Sequence, residues 1–294
     1  MELKPALSFD KQIDRLEEEH GLRIEDRAFA LGVLSRVNYY RLSAYGIGLK
    51  KTDDPDKYIE NISLEHLYNL YLFDSYLRSA LLLIIEQIEI ELRTQIAYYL
   101  SLEYGPEGYM NGQNFRQYKN SNGRLIHEVI ISKFKEEIER QTALPCVKHH
   151  KQKYNGRFPA WAAVELFSFG MLSSIYSIMN LKDQRMVSAF YGLDARHLSG
   201  WIQSLVEVRN RCAHYGRIYN MPLAKTPFLF SEYAVYKSNR LFPIVLIIGR
   251  LMRGKPCWNT FKETLIGLID TYSEVRLDYI GFPTKWKEIM EAIK

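Results

Sequence analysis

The chain has 294 residues, of which 47% are hydrophobic and 25% are charged, a balance typical of globular proteins with a sizeable core. This composition excludes an intrinsically disordered chain. The longest apolar runs, at 80–85 and 243–248, are far shorter than the roughly 18–20 residues that a membrane span needs. Thirty-nine Lys and Arg against 34 Asp and Glu give a formal charge of +5, which suits an anionic partner without requiring one.

Helical periodicity dominates the sequence, strand signals are scarce, and no internal repeat is present. The predicted helices lie at 8–19, 23–34, 64–103, 125–144, 160–181, 195–215, 229–252 and 258–272. The sequence therefore predicts an all-α protein.

Three stretches interrupt the helical pattern. Residues 105–122 and 145–159 are predicted as long loops because they are rich in turn-forming or polar residues. Residues 50–61, which include the run Asp53-Asp54-Pro55-Asp56, are predicted as a linker. We therefore expect a small helical N-terminal unit at 1–60, followed by a helical bundle with C-terminal helices at 61–294.

The cysteines give no sign of a metal or disulfide site. There are three of them, far apart and without Cys-x-x-Cys spacing. The sequence does not open with a basic stretch followed by an apolar one, as a secretory signal would. We therefore expect a cytoplasmic protein that needs neither a membrane nor a metal or other cofactor.

The predicted helix at 195–215 carries the most informative polar residues. Its apolar positions form one stripe at about 100° per residue, and Arg209 lies within that stripe. A buried guanidinium must find a carboxylate, an anion or another chain, because leaving it unpaired costs about several kcal/mol. His214 lies on another face, one turn beyond Asn210, and Gly216 is the expected C-cap. An imidazole there can give or take a proton near neutral pH.

The string Arg209-Asn210-x-x-Ala213-His214 resembles the Arg-x4-His motif of the HEPN ribonuclease superfamily. Further stretches resemble its Abi-like branch, the abortive-infection proteins of bacterial phage defence, and the resemblance runs from about residue 7 to residue 222. In chain order these stretches are Asn38-Tyr39-Tyr40-Arg41-Leu42-Ser43-Ala44-Tyr45, Phe73-Asp74-x3-Arg78 with Ile88-Glu89-x3-Arg93, Trp161-x3-Glu165-x2-Ser168-Phe169-Gly170, and 214–220.

The resemblance implies a HEPN-type helical bundle that acts as a metal-independent endoribonuclease, a toxin that cuts cellular or phage RNA. Its site would form where two HEPN units meet, and because this chain holds one motif, the second would come from another copy in a two-fold homodimer. The two copies of His214 would serve as base and acid, and the two copies of Arg209 would stabilise the charged phosphorane. Asn210 would orient His214 or a phosphate oxygen. A protein or small-RNA antitoxin is a further partner compatible with this function.

The long helix at 64–103 offers acidic partners for Arg209. Asp74, Arg78, Glu86, Glu89 and Arg93 lie within roughly 120° of one another around this helix. They either form i,i+4 ion pairs along their own helix, or supply one acid, Glu89 or Glu86, that pairs with Arg209 and fixes its direction. Arg93 would support that acid.

Two clusters could hold RNA. Lys148, Lys151 and Lys153 could follow a phosphate backbone. Tyr40 and Arg41 could stack on and clamp single-stranded bases, although core packing explains the tyrosines of that stretch about as well.

These clusters leave open an alternative function, a non-catalytic RNA-binding protein that forms a ribonucleoprotein with a small RNA. In that case the Arg209 to His214 motif would serve packing or dimerisation. Trp161 and Glu165, one helical turn apart, are expected in the core and at its polar edge.

Overall fold

The computed structural model describes residues 5–293. In this part of the chain the regular elements are helices, and the only β-pairing consists of isolated bridges. The predicted all-α class is confirmed.

The N-terminal residues form three short helices, each started by a polar side chain. They are α1 (Phe9–Asp14), which continues into a π-helical turn (Arg15–Glu19), α2 (Arg27–Leu34), and α3 (Tyr39–Ser43), which continues into a 3₁₀ turn (Ala44–Gly46). The side chains of Ser8, Asp26 and Asn38 accept hydrogen bonds from backbone N–H groups of the first turns. The second helix begins later than predicted because Asp26 caps it.

The longest helix, α4 (Leu64–Tyr104), forms the centre of the fold. It has 41 residues, which corresponds to about 60 Å. The Ser63 side chain caps its start, and Gly105, with φ of +78°, ends it. α4 is buried along much of its length, and no helix within residues 5–293 is long and apolar enough to cross a membrane.

The remaining helices follow α4 in the chain. They are α5 (Ile126–Arg140), α6 (Pro145–Lys153), α7 (Ala160–Ala163), α8 (Phe169–Ile178), α9 (Leu181–Phe190), α10 (Ala195–Ala213), α11 (Phe242–Met252), α12 (Pro256–Thr271) and α13 (Trp286–Glu291). Helix α3 and helices α7 to α12 pack against α4. The buried side chains, from Ile13 to Ile293, form one contiguous hydrophobic cluster.

Three secondary-structure predictions were wrong, and helices α3, α9 and α13 lie where no helix was predicted. The segment predicted as a loop at 145–159 contains α6, which Pro145 starts in the first turn, where proline is tolerated. The helix predicted at 160–181 is broken, because the Ser168 hydroxyl caps a new helix, α8. The helix predicted at 229–252 begins only at Phe242, because Pro243 can occupy a first turn but not a helix interior.

The segment predicted as a linker at 50–61 is an ordered turn. The Lys51 N–H donates to the Lys57 carbonyl and the Ile59 N–H donates to the Leu49 carbonyl, while Tyr58 is buried. Burial raises the pKa of Tyr58 to about 12. The N-terminal residues therefore pack closely beside the bundle, and a boundary near residue 60 stays a prediction.

Candidate active site at the end of helix α10

Helix α10 ends at the residue that precedes His214. The Tyr215 N–H donates to the Cys212 carbonyl (3.0 Å) and the Gly216 N–H donates to the Arg211 carbonyl (2.7 Å), which is the Schellman arrangement. The left-handed position is occupied by Tyr215 (φ +58°), one residue before the expected glycine. Gly216 is needed for a close approach, since a Cβ there would lie 2.9 Å from Arg211 Cγ. This ending leaves the His214 side chain exposed.

Arg209 lies at the edge of the apolar stripe, with 33% of its side chain exposed. Its Nε is 3.4 Å from Glu89 Oε2, and the Glu89 carboxylate is almost completely buried. Its Nη1 donates to Asn210 Oδ1 at 3.1 Å. Of the two acids considered for Arg209, the structure therefore pairs it with Glu89, whereas Glu86, about one turn earlier on α4, is exposed.

Arg93 holds the carboxylate oxygen of Glu89 that does not face Arg209. Its Nη2 donates to Glu89 Oε1 (2.6 Å) and to the Phe167 carbonyl (2.8 Å), and its Nε donates to the Val164 carbonyl (3.0 Å). We call Arg93, Glu89, Arg209 and Asn210 the Glu89 cluster. Its contacts run in series from Arg93 to Asn210, whose carbonyl accepts the His214 N–H at 3.0 Å.

A second polar cluster lies deeper in the fold, around the fully buried Asp74. Its carboxylate accepts hydrogen bonds from the Tyr45 hydroxyl (2.7 Å), from the backbone N–H groups of Ile218 (2.9 Å) and Tyr219 (2.7 Å), and from Arg78. We call these residues the Asp74 cluster. Sequence reasoning found only the Arg78 partner. The sequence signal that could have indicated further partners was Asp74 itself, an ionisable residue inside a helix that is apolar on most sides.

The Asp74 cluster makes its surroundings unfavourable for further negative charge. Burial, and next the Asp74 charge, raise the pKa of Tyr45 well above its usual value. Burial, again with the Asp74 charge as the next cause, raises the pKa of the nearby Cys212 thiol to about 12. Both groups are therefore neutral at physiological pH and serve as structural residues.

The N-terminal helices hold the segment that follows His214. Arg41 Nη1 donates to the Tyr215 carbonyl at 2.7 Å, and Arg217 donates to the Ala44 carbonyl. Tyr40, next to Arg41, is 84% exposed. The two N-terminal residues predicted to bind RNA therefore lie close to the end of α10.

The stretches that resemble the Abi-like pattern meet at these two clusters. Residues of 38–45 and 214–220 contact Asp74, and backbone carbonyls of 161–170 accept from Arg93. The sequence profile described as Abi-like protein matches residues 32–220, which is more than half of the chain. This chain belongs to the Abi-like protein family. Membership points to abortive infection as its function.

The Abi-like match begins at residue 32, so residues 7–31, which the resemblance in the sequence includes, lie outside it. Searches among curated proteins and among solved structures found no match to the chain.

The three lysines predicted to bind RNA in this Abi-like protein lie on α6, not on the helices of the Glu89 cluster. Lys151 Nζ forms an ion pair with Glu139 at 2.9 Å. Lys148 and Lys153 are exposed. The structure therefore separates the predicted RNA-binding residues into one group beside His214 and another on α6.

Two other side chains correct or extend the predictions for the Abi-like chain. Trp161, expected in the core, is 59% exposed, because the short helix α7 turns its alanines inward.

Cys146 Sγ lies 3.7 Å from His150 Nδ1, a pairing that sequence analysis missed. That nitrogen is also 2.9 Å from the Cys146 carbonyl oxygen, which can only accept, so it carries a proton and cannot deprotonate the thiol.

Across residues 5–293, no group of three or more His, Cys, Asp and Glu side chains is arranged to hold a metal ion.

Proposed function

We propose that this Abi-like protein is a metal-independent endoribonuclease of the HEPN type, a toxin of an abortive-infection system. Arg209, Asn210 and His214 would form one half of its active site. The observation that carries the proposal is the end of α10, where an exposed imidazole follows a cation held by a buried carboxylate. Asn210 contacts both of its neighbours in this arrangement, Arg209 through its side chain and His214 through its backbone.

The chemistry of RNA cleavage needs the groups that this site offers. The ribose 2′-oxygen attacks phosphorus, the bond to the 5′-oxygen breaks, and the products carry a 2′,3′-cyclic phosphate and a 5′-hydroxyl. A base must take the 2′-OH proton and an acid must protonate the leaving oxygen, while a cation stabilises the charge on the phosphorane. His214 is suited to the proton transfers and Arg209 to the phosphorane, because a guanidinium binds phosphate oxygens in a bidentate manner.

The base must start the reaction without a proton and the acid must start it with one, so a single imidazole cannot serve as both at the same moment. We therefore propose that a second copy of the chain supplies the other His214. An exposed stripe on α4 supports a two-fold contact. Tyr76, Leu83 and Ile90 recur every seven residues on one face of the helix and are all exposed. Ile90 directly follows Glu89 in α4, so a second copy packed on this stripe would contact the helix at the same level as the Glu89 cluster.

A second candidate function is non-catalytic binding of a small RNA. It is favoured by residues 145–164, which hold three Lys, one Arg and two His but no Asp or Glu. In this case the Glu89 cluster would serve only to pack α10 on α4. A protein or small-RNA antitoxin is a proposed partner under either function.

The direct test of the nuclease is His214→Ala. This variant should lose RNA cleavage and cellular toxicity, while its stability should change by no more than about 0.5 kcal/mol, as at other exposed positions. Wild-type cleavage should continue in EDTA and leave 2′,3′-cyclic phosphate ends. The matched control is His20→Ala, a partly exposed histidine of the N-terminal unit, which should cleave normally.

Three results would contradict the nuclease proposal. Undiminished RNA cleavage by His214→Ala would show that His214 is neither the proton donor nor the proton acceptor. Strict dependence of cleavage on added magnesium would indicate metal catalysis instead of the proposed chemistry. RNA binding without cleavage by the wild-type protein would favour the non-catalytic function.

A further inference from the structure

A groove of about 660 Å³ lies between α6, α7 and the turn that follows α4. Its walls include His149, Lys153, Tyr154, Pro159 and Trp161, and we call it the Trp161 groove. None of these residues belongs to the Glu89 or Asp74 cluster, so the groove is a separate feature of the surface.

The aromatic residues of the groove are unusually exposed. Trp161 is 59% exposed, whereas the other three tryptophans of the chain are at most 4% exposed. Tyr154 is 44% exposed, and its ring contacts His149 at a centroid distance of 5.5 Å. Beneath them, His150 stacks on the buried Phe158 at 4.6 Å, which gives the groove a packed floor. Exposed flat rings of this kind are suited to stacking on nucleobases.

The charges around the groove favour an anion. The stretch 145–164, which supplies α6 and Trp161, contains no acid. Glu107 also lines the groove, but Arg157 pairs with it. Lys153 lies over the Tyr154 ring at 5.4 Å, beside the aromatic surface, and Lys148 is exposed on the same helix. Aromatic rings next to exposed lysines are the combination by which proteins bind single-stranded nucleic acids.

We propose that the Trp161 groove binds a nucleobase of single-stranded RNA, with Trp161 and Tyr154 stacking on the base and Lys153 contacting a flanking phosphate. This inference deepens the proposed function by naming where the RNA is held, and it rests on RNA being the ligand. The groove is joined to the candidate active site through one segment. The carbonyl of Val164, three residues after Trp161, accepts a hydrogen bond from Arg93, which in turn donates to Glu89. RNA bound in the groove is therefore held by the same segment that positions Arg209.

The test uses the full chain carrying His214→Ala, so that bound RNA stays intact. Single-stranded oligouridylate of about twelve nucleotides is added while tryptophan emission and the anisotropy of labelled RNA are recorded. Because Trp161 is the exposed tryptophan, stacking should quench its emission, and Trp161→Phe should remove most of that signal. Trp161→Ala and Tyr154→Ala should each weaken RNA binding by about fivefold or more. Lys153→Ala should lower the salt dependence, the slope of log Kd against log salt, by about 0.7.

The matched control is Tyr98→Ala, an exposed tyrosine on α4, which should bind RNA as the parent does. Uridine monophosphate, added alone, distinguishes a pocket for free nucleotides from one for RNA. Quenching by the mononucleotide as strong as that by the oligomer at equal concentration would overturn an RNA site.

Equal RNA affinity of Trp161→Ala, Tyr154→Ala and the parent, with unchanged melting temperatures, would also overturn the inference. This failure is distinguishable from that of the proposed function. Groove binding without cleavage by the wild type would refute only the nuclease, and cleavage with an inert groove would refute only the groove. No RNA binding at all by the parent would refute both.

Discussion

Replacing Asp74 by Ala should destabilise the fold far more than the loss of a surface carboxylate. The substitution removes the acceptor for the Tyr45 hydroxyl and for the backbone N–H groups of Ile218 and Tyr219. It also leaves the buried Arg78 guanidinium without its carboxylate partner. Breaking a buried ion pair from one side costs about 3–5 kcal/mol, a large part of the about 5–15 kcal/mol that holds a typical protein folded.

Thermal unfolding measures this effect. At about 2–4 °C per kcal/mol, Asp74→Ala should lower the melting temperature by on the order of 10 °C. The control is Asp270→Ala, whose surface pair with Lys287 should be worth no more than about 1 kcal/mol. Adding Arg78→Met to Asp74→Ala removes the stranded charge and should restore part of the loss. A melting temperature of Asp74→Ala within about 2 °C of the wild type would refute this account of the cluster.

Two further predictions concern α10. Arg209→Ala should abolish RNA cleavage with little loss of stability, because Glu89 keeps its 2.6 Å contact with Arg93. Arg93→Ala should lower the melting temperature clearly, and equal decreases in melting temperature for the two variants would contradict this order. Cys212 is buried, and burial raises the pKa of its thiol to about 12, so its reactive thiolate is far scarcer at pH 8 than that of an ordinary cysteine. A thiol reagent should therefore label at most two of the three cysteines before unfolding and all three afterwards, and rapid labelling of all three in the native protein would contradict the burial.

Much of the fold could be predicted because its helices carry strong local signals. α4 begins after the capping Ser63 as predicted and ends one residue later than predicted. α10 follows its apolar stripe. The prediction failed for α6, whose sequence from 145 to 153 is mostly polar, so that packing of Val147 and His150 decides its structure more than periodicity does.

The candidate site could be predicted only in part. Sequence spacing identified Arg209 and two acids, but Glu86 and Glu89 are neighbours on one helix side, and only the packing of α10 on α4 selects Glu89. The two alternatives for the charged residues of α4, an ion pair along the helix and an acid that pairs with Arg209, occur together, since Glu89 pairs with Arg93 as well as with Arg209. The backbone partners of Asp74 lie more than 140 residues away in sequence, where no local pattern can reveal them.

The central claim is that RNA is cut at a site shared by two copies of the chain, and mixing inactive with active chains tests it most directly. Light scattering should first show a dimer, and conditions must allow subunits to exchange. An excess of His214→Ala chains is then added to wild-type chains, and the RNA cleavage rate per wild-type chain is measured. The account predicts that this rate falls toward zero, because wild-type chains are trapped in dimers with one His214. A rate that stays unchanged at high excess would contradict the shared site.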